Sequence, residues 1–560
     1  MVTIIWVSEK MKRCLSSIRV ESTINNACRQ VLFGRRHHYA STSYACLNEN
    51  HGDDVQLKKT RSKYPGRQTF NETTSSPSNN KSKETISKQK RHQDHAYKKP
   101  KSQQFQAPFS AFIACLPGLE PLLLKEVEYL HSHWSSSDCV EASSIRSKGQ
   151  PQILRGGVKL TVPSLHHLYI LHLYIGTASH IYLRLNDDNF EGLPPLFRAR
   201  GFPELQRKVK DLIISQRWDE WLTSAHNIQI HVTTSKSKLM HTKAIEERMK
   251  QTIGELIPNN SESDTATAKT VRLLTRIDRD VVQLSLDTSL TPLHRRGYRL
   301  KPHRAPLRED LAYALLMSGG LLPCWDLRRQ FSKNGDDSFV ADSLVPRGTK
   351  RILLDPFCGS GTIAIEGASL QLGLPPGRFH PAPLDGTSFY NLALWEEMKS
   401  NAMSASSYAR QTEIIVAAGD VDPKALDAAK ANAKRARVDN CIDFIKGSFV
   451  SHPLLKQQPK DGKKSNYDTS QQSLFVVTNP PYGKRLSPSE TKNTIYRKLA
   501  NILLSSSSSR SIDCAVIGKD VRVMREAGIP SLEVAFSTQH GGLSVAAMVG
   551  SLPKPIGRDE

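Results

Sequence analysis

The sequence predicts an α/β protein, with a doubly wound, largely parallel sheet in its C-terminal half, a smaller α+β region before it and a polar tract at the N-terminus. Three observations carry this. From about Arg304 onward, short apolar runs that suit buried strands alternate with helical stretches, the βαβ order that pairs strands in parallel beneath flanking helices. From Phe109 to Thr288 strand-like and helix-like runs alternate over shorter spans, as in α+β modules with helices on one sheet face. Residues 51–106 are Lys, Ser, Thr, Asn, Gln and Pro with almost no aliphatic side chains, so they cannot bury enough surface to fold.

Taken in order, "FSAFIACLPGLEPLLLKEVEYL" predicts a strand, a Pro-Gly turn and an amphipathic helix from Glu120. "GGVKLTV", "HIYLRL", "IQIHVTT" and "VVQLSLDT" read as strands, and "LHHLYILHLYIGTA", "PELQRKVKDLIISQ" and "TKAIEERMKQTIGELI" as helices. The second rhythm begins with the helix "APLREDLAYALLM" and the strand "RILLDPF", continues through the helix "GTIAIEGASLQL", then "IIVAAGDVDPKALDAAKANAKRARV", and ends on "LSVAAMVGSL". Two inserts interrupt it, a polar loop from about Asp326 to Lys350 and a Pro-rich piece from Gly373 to about Asn401, and Ser505 to Ser509 reads as a loose surface turn. The boundaries are 1–50, 51–106, 107–300 for the α+β region and 301–556 for the doubly wound domain.

At 560 residues the chain has room for several cores. Its formal net charge is +23, which points to a polyanionic partner, nucleic acid first. Residues 1–106 hold 20 Lys or Arg against 8 Asp or Glu, about half of the excess, so a basic surface is expected beyond the tail as well. The nine cysteines show no CxxC pair and the histidines no ligand spacing, which argues against a metal site or a disulfide framework. No apolar run reaches the roughly 20 residues of a membrane span. Residues 1–50 have seven Lys or Arg, three Glu and no Asp, then "FGRRHHYASTS"; this suits a mitochondrial or plastid transit peptide, with a basic nuclear or cytoplasmic tail as the alternative.

In a doubly wound sheet, ligands bind at the carboxyl ends of the strands, and three of those ends carry unusual residues. "LLDPFCGSGT" puts Gly359 and Gly361 where the chain must turn tightly and approach a ligand before a helix starts; it lacks the Lys of a phosphate loop and the spacing of a dinucleotide fingerprint. "AAGDVD" ends a strand on Asp420, placed to accept both hydroxyls of a ribose, with Asp422 before Pro423 as a helix cap. "LFVVTNPPYGKRL" leads a buried strand into Asn479, Pro480, Pro481 and Tyr482, and the prolines stop any continuation of the sheet. The amine of a nucleobase is a poor nucleophile because its lone pair is delocalised. Two rigidly held acceptors, the Asn479 side-chain oxygen and the Pro480 carbonyl, would draw that pair out of the ring plane toward an electrophilic methyl group, while Tyr482 stacks on the base.

"DPFCGSGT", "GDVD" and "NPPYG" together resemble the S-adenosyl-L-methionine-dependent methyltransferases that modify base amino groups. With "SAFIACLPGLEPLLLKEV", "LYILHLYIGTASHIYLRL" and "DTSLTPLHRRGYRLKPHRAPL", the resemblance extends over roughly residues 108–555 to the THUMP-domain RNA guanine-N2 methyltransferases, most of all the bacterial large-subunit rRNA enzyme. It implies a Rossmann-like, seven-stranded class I methyltransferase domain behind a ferredoxin-like and THUMP RNA-binding region. It implies that Asp355, Pro356, Gly359, Gly361, Thr362, Asp420, Asp422, Ser448 and Asn479 line the cofactor, and that Asn479, Pro480, Pro481 and Tyr482 receive the guanine. Ser448 stands where the family commonly has Asp against the adenine, Leu290 where it has Gly, and the second half of the fused bacterial enzyme has no counterpart in these residues. In "HRRGYRLKPHR", Arg295, Arg296 and Arg299 suit either a solvated connector or phosphate contacts, and Lys484 and Arg485 beside the target loop suit phosphate. The expected partner is RNA, rRNA before tRNA; adenine-N6 methylation and a non-catalytic RNA-binding assembly factor are the alternatives.

Overall fold

The computed structural model describes residues 106–552, apart from 135–149, 223–224, 258–268, 300–305, 322–350, 407–415, 456–472, 482–491, 509, 520–521, 527 and 530. The N-terminal tract, the polar insert at 326–350, and Tyr482, Lys484 and Arg485 lie outside the described residues. The described residues fall in one compact unit, and two sheets organise it.

The first sheet is built from β1 (Phe109–Cys115), β2 (Gln152–Leu154), β3 (Gly157–Val162), β4 (Ala178–Arg184), β5 (Phe197–Arg198), β6 (Ala225–Ser235), β7 (Lys269–Asp278) and β8 (Val281–Asp287). Its order is β2-β3-β1-β4-β8-β7-β6, with β5 paired to β8. The antiparallel pairing of β4 with β8, Leu183 opposite Leu286, joins the α+β elements into one sheet. Helices α1 (Glu120–Trp134), α2 (Leu165–Tyr174), α3 (Phe202–Ser215), the single turn α4 (Trp218–Trp221) and α5 (Thr242–Leu256) accompany it. Period-two alternation sends Ala111, Ile113, Ile181, Leu183, Leu273 and Ile277 into the core.

The second sheet holds β9 (Arg351–Asp355), β10 (Val416–Asp420), β11 (Ile442–Lys446), β12 (Ser473–Thr478), β13 (Ile512–Gly518), β14 (Glu533–His540) and β15 (Leu543–Leu552). Its seven strands run β11-β10-β9-β12-β13-β15-β14, parallel except for β15, which is antiparallel to both β13 and β14. This is a Rossmann-like, seven-stranded sheet, as the resemblance implies. Helices α6 (Glu309–Ser318), α7 (Thr362–Gln371), α8 (Leu392–Ser406), α9 (Pro423–Ala436), α10 (Lys492–Ser507) and α11 (Arg522–Glu526) accompany these strands. One apolar cluster runs without a break from the first sheet through α6 onto Phe475, Val477, Ala515 and Ile517 of the second, and a separate one fills its other face around Leu499, Leu503 and Val516. Helix α6 is enclosed all along, every residue from Glu309 to Met317 being buried. Gly176 makes room for it, since a Cβ there would fall 2.4 Å from the Tyr313 ring.

Two expectations are corrected. The Pro-rich piece is not a mere insert: its second half is α8, which buries Trp395, Met398 and Ala402 and sets the Trp395 indole edge-on to Tyr169 at 5.6 Å. The serine run is not a loose turn either. It continues α10 to Ser507, where Ser506 and Ser507 are buried and their hydroxyls donate to the Leu455 and Leu504 carbonyls.

Candidate active site

The chain runs from β9 outward to β10 and β11, then returns to place β12 on the other side of β9. The carboxyl ends of β9 and β12 therefore flank the switch point of the sheet, where an open α/β fold binds its ligands. Asp355 ends β9 and Thr478 ends β12, and the Thr478 hydroxyl donates to Asp355 Oδ1 at 2.9 Å. The Phe357 amide donates to the same oxygen at 3.2 Å. This carboxyl is 1% exposed, and burial, reinforced by the nearby Asp420 charge, pushes its pKa up to about 7 against the opposing hydrogen bonds. Asp355 thus ties the ends of β9 and β12 together.

The turn after β9 reads as the sequence suggests. Gly361 has φ +84°, and a Cβ there would stand 3.0 Å from that of Ala429, so the glycine lets α7 start against α9. Gly359, at φ +53°, would meet nothing within 4 Å. Space for a ligand lies directly above its backbone. The Gly359 amide donates to Asp420 Oδ2 and the Asp422 amide to Oδ1, each at 2.9 Å, which fixes the Asp420 carboxylate at the rim with lone pairs to spare. Asp422 caps α9 by accepting from the Lys424 amide at 2.9 Å. Ser448 caps a short 3₁₀ turn by accepting from Val450 at 3.4 Å. Pro356 follows Asp355 and Thr362 opens α7.

Asn479, 8% exposed, follows Thr478 into the Asn-Pro-Pro corner with Pro480 buried beside it. Its Oδ1 finds no hydrogen-bond partner among the described residues, and neither does the buried Ser360 Oγ. A buried acceptor left unpaired is costly unless a ligand completes it. Together with the space over Gly359 and the fixed Asp420 carboxylate, these unpaired atoms fit a nucleoside-bearing cofactor.

Two features escaped the sequence reading. Val421 is 65% exposed immediately after Asp420, an apolar face at the mouth of the site. The Phe357 and Phe449 rings meet at 4.6 Å, joining the β9 and β11 ends. A valine inside "GDVD" carries no local signal, and the two phenylalanines become neighbours only through the fold.

The linker residues need correction. Arg296 is 1% exposed, donates to the Leu293 and Gly176 carbonyls, lies over the Tyr313 ring and stands 3.8 Å from Glu366. Arg299 donates to the Leu307 carbonyl and the Thr362 hydroxyl and pairs with Glu309 at 3.4 Å. Arg296 is thus buried, and Arg299, 14% exposed, is held by internal partners. Arg295 is exposed.

Residues 346–529 match the family model described as UPF0020, RMKL-like, methyltransferase domain. The chain is 27% identical over 401 residues to a "Ribosomal RNA large subunit methyltransferase K/L" of Syntrophotalea carbinolica, covering 71% of this chain and 47% of that protein. A K/L enzyme of a Marinomonas species is 27% identical over 391 residues, 69% of this chain and 45% of its own length. The chain thus spans about half the length of these curated relatives. Among solved structures, "a possible methylase from Clostridium difficile 630" superposes with a TM-score of 0.58 at 21% identity, covering 81% of this chain and 100% of that one. SMU.472, solved as a complex with SAH, gives 0.58 at 18% identity over 80% of this chain and 98% of its own. By sequence residues 346–529 thus resemble an RMKL-like methyltransferase domain, and the chain shares its fold with a structure solved in complex with SAH.

Proposed function

We propose that this protein methylates the exocyclic N2 of a guanine in structured RNA, large-subunit rRNA of a mitochondrion or plastid before tRNA. The observation that carries the reading is the unpaired, buried Asn479 Oδ1 in a corner stiffened by two prolines, one residue beyond the Thr478–Asp355 bond. The 27% identical K/L relatives support rRNA, and the Arg-containing, Asp-free residues 1–50 support an organelle.

When bound, S-adenosyl-L-methionine supplies an electrophilic methyl group whose leaving group departs uncharged. Gly359 leaves it room, Asp420 accepts from its ribose, and Val421 with Phe449 offers its adenine an apolar surface that needs no acidic side chain at Ser448. The target base leaves its stack to enter the pocket. There Asn479 Oδ1 and the Pro480 carbonyl accept from the amine, turning its lone pair toward the methyl, and Tyr482 stacks on the ring. Because both acceptors are held by prolines, the transition state needs little reorganisation.

Asn479→Ala should lower methyl transfer by about 100-fold or more, as loss of a preorganised acceptor does, with affinity for S-adenosyl-L-homocysteine by calorimetry nearly unchanged. Transfer near the original rate would remove Asn479 from the role. Mass analysis of nucleosides after reaction separates N2-methylguanosine from N6-methyladenosine, and mapping N2-methylguanosine in organelle and cytosolic RNA with and without the protein tests the target.

A further inference from the structure

The turn from Cys358 to Thr362 has little of its own to hold it. Gly359 and Gly361 both lie in the left-handed region, at φ +53° and +84°, and a glycine has more backbone freedom to lose than any other residue. Bonds within the turn and from β10 fix part of it. The Cys358 amide donates to the Gly419 carbonyl at 2.8 Å, the Gly359 amide to Asp420 Oδ2 at 2.9 Å, and the Gly361 amide to the Cys358 carbonyl at 2.8 Å. These leave the Ser360 carbonyl and the Thr362 hydroxyl to partners from elsewhere in the fold.

The Ser360 carbonyl accepts from Asn432 Nδ2 at 3.0 Å. Asn432 lies on α9 and is fully buried, and a carboxamide could turn either end to the carbonyl. Arg435, three residues on, removes the choice: a guanidinium only donates, so it takes Asn432 Oδ1 and leaves the amino group for Ser360. Arg435 is held in turn by the connector, its Nε donating to the Tyr298 carbonyl at 2.7 Å. Tyr298 is fastened to α7, where its hydroxyl donates to Glu366 Oε1 at 2.8 Å. The next connector residue makes a second arm. Arg299 Nη2 donates to the Thr362 hydroxyl oxygen at 2.9 Å and to the Leu307 carbonyl at 2.7 Å. Both arms therefore start at residues 298–299, outside the matched 346–529.

We infer that Tyr298, Arg299, Arg435 and Asn432 are positioning residues for the cofactor: the connector fixes the glycine turn through Ser360 and Thr362, and thereby sets how tightly the chain holds S-adenosyl-L-methionine. The space over Gly359 is open, so a ligand there meets the backbone of the turn itself, and a turn that shifts changes that contact directly. The buried, unpaired Ser360 Oγ belongs to the same residue as the carbonyl that Asn432 holds, and moves with it. If the four side chains only stabilised the fold, ligand affinity of the folded chain would not depend on them. The inference rests on the cofactor reading above and adds that the site is completed by residues preceding the matched segment.

The test uses the full chain, calorimetry with S-adenosyl-L-homocysteine, and amide exchange of the ligand-free protein. In Arg435→Gln the shorter amide cannot serve the Tyr298 carbonyl and Asn432 Oδ1 together. Asn432→Asp still accepts from Arg435 and can no longer donate to Ser360. Each should weaken binding about tenfold, the worth of one hydrogen bond, and should speed exchange across residues 358–362 while the first sheet exchanges as before. Because the two act in one relay, the double variant should also lose only about tenfold, where independent sites would lose about a hundredfold. Arg435 is half-buried, so Arg435→Gln decides the matter by itself should Asn432→Asp fail to fold. Single variants that bind like the wild type overturn the positioning role and leave the cofactor reading standing. A wild type that binds no S-adenosyl-L-homocysteine overturns both. A hundredfold loss in the double variant overturns the relay.

Discussion

Asp355 sets two requirements against each other. Its carboxyl must lie under the strand ends to hold Thr478, and burial there favours the protonated form. The folded-state pKa, about 7, lies above the ordinary value of 3.8. Between those pH values the folded chain holds a proton that the unfolded chain has lost, so this group's contribution falls as pH rises and then levels off, by roughly 4 kcal/mol in all. Asp355→Asn keeps an acceptor for Thr478 and cannot ionise. Its unfolding free energy relative to the wild type should therefore grow from pH 4 to pH 7 in urea titrations, and a constant difference would refute the assignment. At this scale the sequence was informative where the backbone sets the role. Asp422 as a cap and Gly361 as a left-handed turn follow from their immediate neighbours. Arg296 and Arg299 were not legible, because in "HRRGYR" every cation looks solvated, and only the fold brings Glu366, Glu309 and Thr362 to them.

Among the elements, α9 shows how local signals add up. Asp422 caps it, Pro423 opens it, and Arg437 closes it in the left-handed region at φ 60°. Asp422→Ala should cost about 1 kcal/mol in chemical denaturation, while S-adenosyl-L-homocysteine affinity falls less than in Asp420→Ala. Equal losses of affinity would make Asp422 a cofactor ligand instead. Periodicity found the strands that matter to the site, since β9, β10 and β12 are short apolar runs ending in punctuation. It missed β14, an edge strand with only Phe536 and Thr538 buried, because one-sided contact leaves little alternation. It missed α8 because the prolines before Leu392 suggested a loop, although Trp395, Met398 and Ala402 keep helical spacing. It missed β7, where Val271, Leu273 and Ile277 point inward with Arg272 and Arg276 between them, because the Arg and Thr content masked a period of two.

On the scale of the whole molecule, the two sheets share a core that also encloses ionisable groups. Burial holds the imidazoles of His172, His294 and His380 neutral, each with its pKa lowered to about 3 from 6.5. As pH falls below 6.5 the unfolded chain takes up protons that the folded chain refuses, so stability is lost toward pH 3. Near pH 5 each of these three imidazoles adds a slope of about 1 kcal/mol per pH unit, and Asp355 opposes them with one proton of its own. The urea midpoint should drop accordingly between pH 6 and pH 5, and an unchanged midpoint would show that these rings are not held neutral. The connector between the sheets has a further consequence. Arg299 donates to Thr362 at the foot of the glycine turn, and the backbone carbonyl of Tyr298 accepts from Arg435 on α9. A graft that exchanged the front half for another substrate reader would have to carry residues 294–299 along with it, or the donor pocket would lose part of its foundation.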